Sequence, residues 1–449
     1  MSSSTLKAKL LRNLGAGAYG QLITVAIQLL SVPLFLHYWG VELYGEWIIL
    51  SAIPAYLSMS DIGFASVAAN DMTMRVAKDD KQGALEVYQS IWVFICTVSL
   101  IVGCALTLLI YKAPVNSFFS ISYISTQHTQ QLLIVLMLSV LIGLQNGVLS
   151  GAFRAVGRYA YGTVMGNTIR LVEWLTSMTA VVLGNSVVIV ALAILAIRLL
   201  GLLIMWIVLR RQAPWLNLGF KFASRKKIRE LIKPAIAFMA FPLGLALSLQ
   251  SMVIIIGITL GSSSVVIFST YRTLTRVLVQ IVALLNHSIW PEVSAAYGAG
   301  NMDLVTKLHH KSSCITFWIS LIAVSTLGLL GEWVVGLWTR HAFVPNHTLF
   351  ILLLATSFLN VRWHTSWIVL MATNQHNRIS IAFIASSAFG LLSSTLVTPY
   401  LGIDGVGIML VLSEIPMLFI TINSVLNLLN DGWINYLKAI LSNPLKNYA

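Results

Sequence analysis

Apolar residues run along this chain in long blocks. Twelve blocks stand at 14–37, 43–68, 87–110, 130–152, 160–183, 187–209, 234–258, 265–289, 312–338, 348–372, 380–400 and 405–428. Each is long enough to cross ~30 Å of hydrocarbon as an α-helix. None shows the short period-two alternation of a transmembrane β-barrel. The pattern predicts an all-α polytopic membrane protein with twelve transmembrane helices and short connections. The first block follows a polar, basic start, MSSSTLKAKLLRN. It is long and ends in no clear small-x-small cleavage site, so it reads as a retained first span and not a signal peptide.

The longest connection, RRQAPWLNLGFKFASRKKIRELIK at 210–233, falls at the midpoint. It divides the chain into an N-terminal six-helix lobe (1–209), a basic linker (210–233), a C-terminal six-helix lobe (234–428) and a tail (429–449). An even number of spans per half makes the halves parallel repeats. A repeat of about 220 residues pairs the glycine of TyrTrpGly at 38–40 with that of ThrLeuGly at 259–261. It likewise pairs ValLeuGly at 182–184 with TyrLeuGly at 400–402. Pro33, Pro54, Pro242 and Pro416 fall inside spans, where proline tends to kink a helix.

Composition agrees with the pattern. The chain is 57% hydrophobic and only 10% charged, against about a quarter charged in soluble domains. Its net charge of +13 does not point to nucleic acid, because the basic residues sit in short loops between apolar runs. With the N-terminus inside, twenty-one lysines and arginines fall in inside segments and two, Lys112 and Arg340, outside. That bias predicts cytoplasmic N- and C-termini. Cys96, Cys104 and Cys314 lie in apolar segments, so neither a disulfide framework nor a metal site is expected. There is no phosphate-cradling G-x-x-x-x-G-K-[ST] loop, so neither ATP drive nor a cofactor is expected.

Five arginines remain, all inside predicted spans: Arg170, Arg198, Arg272, Arg276 and Arg362. A charge at mid-bilayer costs on the order of 2.5–3.5 kcal/mol on insertion scales. Such residues should face a cavity, a partner or an interface. In span eight Ser269, Arg272, Arg276, Gln280 and His287 fall on one helical stripe. Arg272 and Arg276 lie roughly 10 and 16 Å from the end of the span at 1.5 Å per residue. They are candidate substrate-binding residues, with a structural network as the alternative. Arg170 and Glu173 in span five form either a self-neutralised pair or part of a site. Arg198, which has no polar stripe around it, reads as structural. Arg362, flanked by Asn360, Trp363 and His364, reads as packing or sugar contact. Asp61 and Glu414 are candidates for coupling or gating, with structural roles as the alternative.

The stretch NLGAGAYGQLITVAIQLLSVPLFLHYWGVELYGEWIILSAIPAYLSMSDIGFA, 13–65, resembles the opening of bacterial oligosaccharide flippases of the O-antigen type. The shared features are Pro33, a glycine before a short turn, Tyr44-Gly45-x-Trp47 and Asp61-x-Gly63. The resemblance implies the fold of the multidrug/oligosaccharidyl-lipid/polysaccharide exporter superfamily, with two six-helix lobes around a central cavity lined by spans one, two, seven and eight. It implies a non-enzymatic flippase of a bacterial inner membrane in surface-polysaccharide (lipopolysaccharide) biosynthesis. Its cargo would be a polyprenyl-diphosphate-linked oligosaccharide, moved from inner to outer leaflet by alternating access. Membrane lipid and other polysaccharide-assembly membrane proteins are then the expected partners. Arg272 and Arg276 would bind diphosphate or acidic sugar, a task suited to the guanidinium fork. Gln280, Arg362 and Arg170 would add contacts, and a proton or sodium gradient is a candidate drive. The alternatives are a multidrug/cation antiporter of the same superfamily and a membrane polysaccharide polymerase or ligase. The arginine-rich spans count against the first, and the lack of a large outer loop against the second.

Overall fold

The computed structural model describes residues 3–59, 62–373, 375 and 377–443. Side chains at 3–11, 14, 58–59, 62, 233–234, 236–242, 287–288, 291 and 377 also lie outside the description. Among the described residues the chain is helical with no strand. In order the helices are α1 (Ser3–Met59), α2 (Ile62–Ala77), α3 (Lys81–Lys112), α4 (Val115–Phe118), α5 (Thr126–Ala155), α6 (Tyr159–Val182) and α7 (Val187–Gln212). There follow α8 (Arg225–Leu260), α9 (Ser262–Gly298), α10 (Met302–Thr339), α11 (His347–Ala372), α12 (Asn377–Leu429) and α13 (Trp433–Ile440). Eleven of the twelve expected spans fall on single helices, and the second, 43–68, includes residues 60–61, which lie outside the described residues.

Two of the helices hold two spans each. α1 breaks at Gly40 (φ 72°, ψ −178°) and α12 at Gly402 (φ 60°, ψ −147°). Gly261 makes the corresponding turn between α8 and α9 at φ 83°, ψ 177°. With φ near +80° and ψ near 180°, that backbone is essentially glycine-only. The paired glycines of the sequence repeat thus share a physical job: Gly40 and Gly261 both take positive φ, as do Gly184 and Gly402.

The Tyr44-Gly45-x-Trp47 motif builds the first of these turns. Phe35 stacks on Tyr44 at 5.0 Å, and Trp39 meets Trp47 edge-on at 5.2 Å. The residue between, Glu46, is fully buried. Its carboxylate accepts the backbone N–H groups of Ser122 (2.6 Å), Tyr123 (2.7 Å) and Ile124 (2.8 Å). One acidic side chain therefore satisfies three amides of the loop before α5, which would otherwise be costly to bury.

By contact the chain forms two compact units, 1–246 and 247–449, and the division falls inside α8. The basic connection 210–233 belongs to the first unit, where it is fastened to the ends of α2 and α3. Gln89 donates to the Asn217 carbonyl (3.1 Å) and accepts the Phe222 N–H (2.9 Å). The Ser90 hydroxyl accepts the Ser224 N–H at 2.9 Å, and Trp92 meets Phe220 edge-on at 5.4 Å. Lys227 bridges Glu230 (2.6 Å) and Asp71 (3.7 Å), and Arg75 joins Asp71 to Asp80. The Gly83 N–H, with help from Arg75, holds the Asp80 carboxyl below the usual carboxylate range. The apolar part of this contact is a core in which Leu216 and Leu231 of the connection and of α8 join Tyr88, Ile91 and Phe153. High local charge here is absorbed by a docked strap.

In the second unit α13 is held on α10. His310 pairs with Asp431 at 2.6 Å, and Trp318 donates its indole N–H to the Ser442 carbonyl at 3.0 Å. Tyr436 and Ile440 close a small core with Ile422 and Leu426.

Two outcomes test this description. A Cβ at Gly261 meets no atom within 4 Å, so Gly261→Ala should cost only backbone strain, about 1–3 kcal/mol. Gly17→Ala, in open space on a helix, should be neutral or mildly stabilising. Thermal unfolding in detergent measures both. Gln89→Leu strips partners from two backbone groups, at about 1–3 kcal/mol. Trypsin should then cut at Lys221 faster than in the unaltered protein.

Candidate functional site

In the first unit the arginines expected inside spans stand on α6 and α7. α6 carries Arg170 and Glu173, and α7 carries Arg198. Among the described residues eight helical segments are long and apolar enough to span a membrane, and α6 and α11 are not among them. α6 and α11 are also the helices that hold Arg170, Glu173 and Arg362.

Glu173 does not neutralise Arg170, as the three-residue spacing had made plausible. It is buried and takes a two-pronged bond from Arg198: Nε to Oε1 at 2.9 Å and Nη2 to Oε2 at 2.7 Å. The third guanidinium nitrogen of Arg198 donates to the Ser139 carbonyl on α5 at 2.9 Å. Gly143 lies alongside, where a Cβ would be in ordinary contact with Arg198 Nη1 at 3.4 Å. Arg198 is thus structural and ties three helices together. Arg170 is exposed and donates to Thr24 Oγ1 on α1 at 2.9 Å. A cavity of about 300 Å³ opens beside these groups, lined by Arg170, Glu173, Arg198, Asn146, Ser150 and Gly166 among others. Two guanidiniums and one carboxylate leave its wall with one excess positive charge. The Asn146 side-chain oxygen is buried there without a protein partner. The wall is mixed, with Val140, Leu144, Ile169 and Met205 beside the charged groups, and its excess cation suits an anionic or hydroxyl-rich group.

In the second unit α9 carries the expected stripe. Arg272 is half-buried, donates to the Leu249 carbonyl on α8 at 2.5 Å and lies over the Phe268 ring at 5.1 Å. Part of its donor set therefore fastens α8 to α9. Arg276, one turn on, is half-buried and has no ion pair or hydrogen bond among the described residues. Gln280 follows, also half-buried. The His287 side chain lies outside the described residues.

Arg362 has a different setting. It is buried at 6% exposure between α10 and α11. It donates to the Ser313 carbonyl (3.2 Å) and Ser320 Oγ (2.9 Å), with Phe317 and Phe358 on its faces at 5.2 and 5.4 Å. That is the geometry of an interhelix clamp, and it leaves little surface for cargo. Glu414 on α12 accepts the Trp363 indole N–H and the Asn360 amide (3.3 Å). It has no cation in ion-pair range among the described residues. Asp61 lies outside the described residues.

No protein-family model matches the chain, and no curated protein matches it by sequence. Solved structures do match it over nearly the whole length. The lipid II flippase MurJ, in an inward closed conformation, superposes with a TM-score of 0.71 at 12% identity, covering 95% of this chain and 89% of that one. A multidrug resistance MATE family transporter, inward-facing, gives 0.66 at 17% identity over 94% and 95%. A MOP superfamily transporter from Pyrococcus furiosus Vc1 gives 0.66 at 13% over 94% and 95%.

The chain has the fold of the MOP superfamily.

At these identities the likeness fixes architecture and leaves cargo to the residues. Within the MOP fold, sequence reasoning singled out Arg272 and Arg276 by their stripe. It missed that Arg198 finds its partner on another helix. The available signal was Arg198 itself: a lone charge with no polar companions on its own helix calls for one elsewhere.

The Arg198–Glu173 pair makes a sharp prediction. Removing either partner leaves an uncompensated charge, which costs about 3–5 kcal/mol when buried. Glu173→Leu and Arg198→Leu should each lower the unfolding temperature strongly. The double variant should recover much of the loss, and thermal melts of all four proteins measure the recovery.

Proposed function

We propose that this protein is a flippase for a polyprenyl-diphosphate-linked oligosaccharide, a repeat unit of a surface polysaccharide. It would move the headgroup from the inner to the outer leaflet of a bacterial plasma membrane by alternating access, with both termini cytoplasmic. The carrying observation is Arg276: a guanidinium inside a membrane helix, half-buried, with no internal partner among the described residues. A charge kept in hydrocarbon without a partner is a functional candidate by default. Arginine suits phosphate because its planar fork matches two oxygens at once. Arg272 and Gln280 extend the same stripe, and Arg170 lines the cavity of the first unit. The likeness to a structure named as a lipid II flippase supports the same reading. The protein is then a carrier and not an enzyme. Asp61 and Glu414 remain its candidates for proton or sodium coupling.

A multidrug antiporter is the second reading, supported by the likeness to MATE transporters. A specific residue favours it too: Glu414 is a carboxylate without a cationic partner among the described residues. Cationic cargo would want such groups, and would be repelled by Arg272 and Arg276.

Transport of a lipid-linked oligosaccharide into vesicles, at equal protein levels, separates these readings. Arg276→Ala should slow translocation at least tenfold, since a charge-assisted bond is worth about 1.5–3 kcal/mol. Arg276→Lys, which keeps the charge but loses the fork, should fall between. Normal translocation by Arg276→Ala would remove the phosphate role from this residue. Efflux of a lipophilic cation by the unaltered protein would favour the second reading.

A further inference from the structure

A second cavity, of about 370 Å³, lies in the second unit at the end that carries Arg378 and Lys438. Its walls are Arg378, Phe419, Ile420, Asn423, Ser424 and Trp433. Three chain segments meet there: the start of α12, its last turns and the start of α13. The donors are notable for what they lack. Among the described residues, the Arg378 guanidinium, the Asn423 amide and the Trp433 indole N–H make no hydrogen bond or ion pair. Ser424 is occupied by the Ile420 carbonyl at 2.7 Å. Among the described residues no acidic side chain lines the cavity. Asp431, two residues before Trp433, is already taken by His310 (2.6 Å) and the Gly432 N–H (2.8 Å).

The apolar surroundings have a direction. Leu412, Ile415 and Phe419 share one face of α12 and are 40%, 37% and 56% exposed. That stripe runs from the cavity away from the helix end, along the membrane-spanning part of α12. Asn423 continues it one turn nearer the end. α13 adds a further sign of lipid. Tyr436 and Ile440 pack inward, while Ile434, Leu437 and Leu441 are exposed on the adjoining face. Asn435 and Lys438 form its polar side. An apolar arc with a polar back is the pattern of a helix lying in a membrane interface.

We infer that this cavity holds the phosphate of an anionic glycerophospholipid, with an acyl chain laid along Phe419, Ile415 and Leu412. Arg378 grips the phosphodiester oxygens with its fork. Asn423 and the Trp433 indole donate to the phosphate or glycerol oxygens. One guanidinium matches the single charge of a phosphodiester. A zwitterionic lipid brings an ammonium for which the cavity offers no carboxylate, so an anionic head is preferred. A diphosphate would call for a second cation, and Lys438 does not line the cavity. Basic pockets between membrane helices are general sites for acidic headgroups. Such a lipid joins both ends of the α12 helix to α13, so the docking of the C-terminal helix becomes sensitive to leaflet composition.

Native mass spectrometry of the full-length protein, with equal phosphatidylglycerol and phosphatidylcholine, tests the site without any transport step. The unaltered protein should retain phosphatidylglycerol about tenfold over phosphatidylcholine, the equivalent of one charge-assisted contact. Arg378→Ala should abolish the preference, and Arg378→Lys and Trp433→Phe should weaken it. Among the described residues Arg378 makes no internal bond, so its variants should fold normally, which their melting curves check. Lys438→Ala should leave the preference intact. No preference in the unaltered protein would overturn the site. So would equal loss in Arg378→Ala and Lys438→Ala, which would mean attraction to surface charge in general.

Discussion

A guanidinium moved into hydrocarbon costs a few kcal/mol even after local adjustment, and the arginines inside these helices differ in how far the protein offsets it. Arg198 is matched by the two oxygens of Glu173 and a carbonyl from a third helix. Arg362 is wrapped by two oxygens and two aromatic faces. Arg272 spends part of its donor set on the α8 backbone. Arg276 does none of these among the described residues. The gradient from fully matched to unmatched separates charges that hold helices together from a charge held ready for something else.

The same accounting explains the hairpins. A membrane helix cannot end without satisfying its last backbone groups, so a tight reversal is favoured over a long loop. Gly40, Gly261 and Gly402 permit that reversal through positive φ. Glu46 does related work on a larger scale, giving three loop amides a common acceptor. The motif that most resembled the oligosaccharide flippases, Tyr44-Gly45-Glu46-Trp47, is therefore explained by the turn it builds. A resemblance carried by turn-building residues speaks for the fold more than for the cargo.

Much of the architecture was legible because the bilayer imposes a simple rule on sequence. A span must be apolar for about 20 residues, and the charges that break the rule announce themselves. The stripe of Arg272, Arg276 and Gln280 was visible because it lies on one helix. The Arg198–Glu173 pair was not, because its partners sit 25 residues apart on neighbouring helices. The expected Arg170–Glu173 pair obeyed local spacing and lost to a better two-pronged geometry. The connection 210–233 reads from sequence as a basic linker, with nothing local to show that it is docked. Its docking depends on buried Gln89 and Ser90, whose role appears only when α3 is in place.

As proposed above, Arg276 and its stripe on α9 serve an anionic, phosphate-bearing cargo. The most direct measurement of that role is equilibrium binding of a short-chain prenyl-diphosphate oligosaccharide to the purified protein, beside the matching prenyl alcohol-linked sugar and a lipophilic cation. The diphosphate compound should bind, pyrophosphate should compete with it, and the other two should bind at least tenfold more weakly. Equal binding of the alcohol-linked sugar, or tighter binding of the cation, would contradict that role.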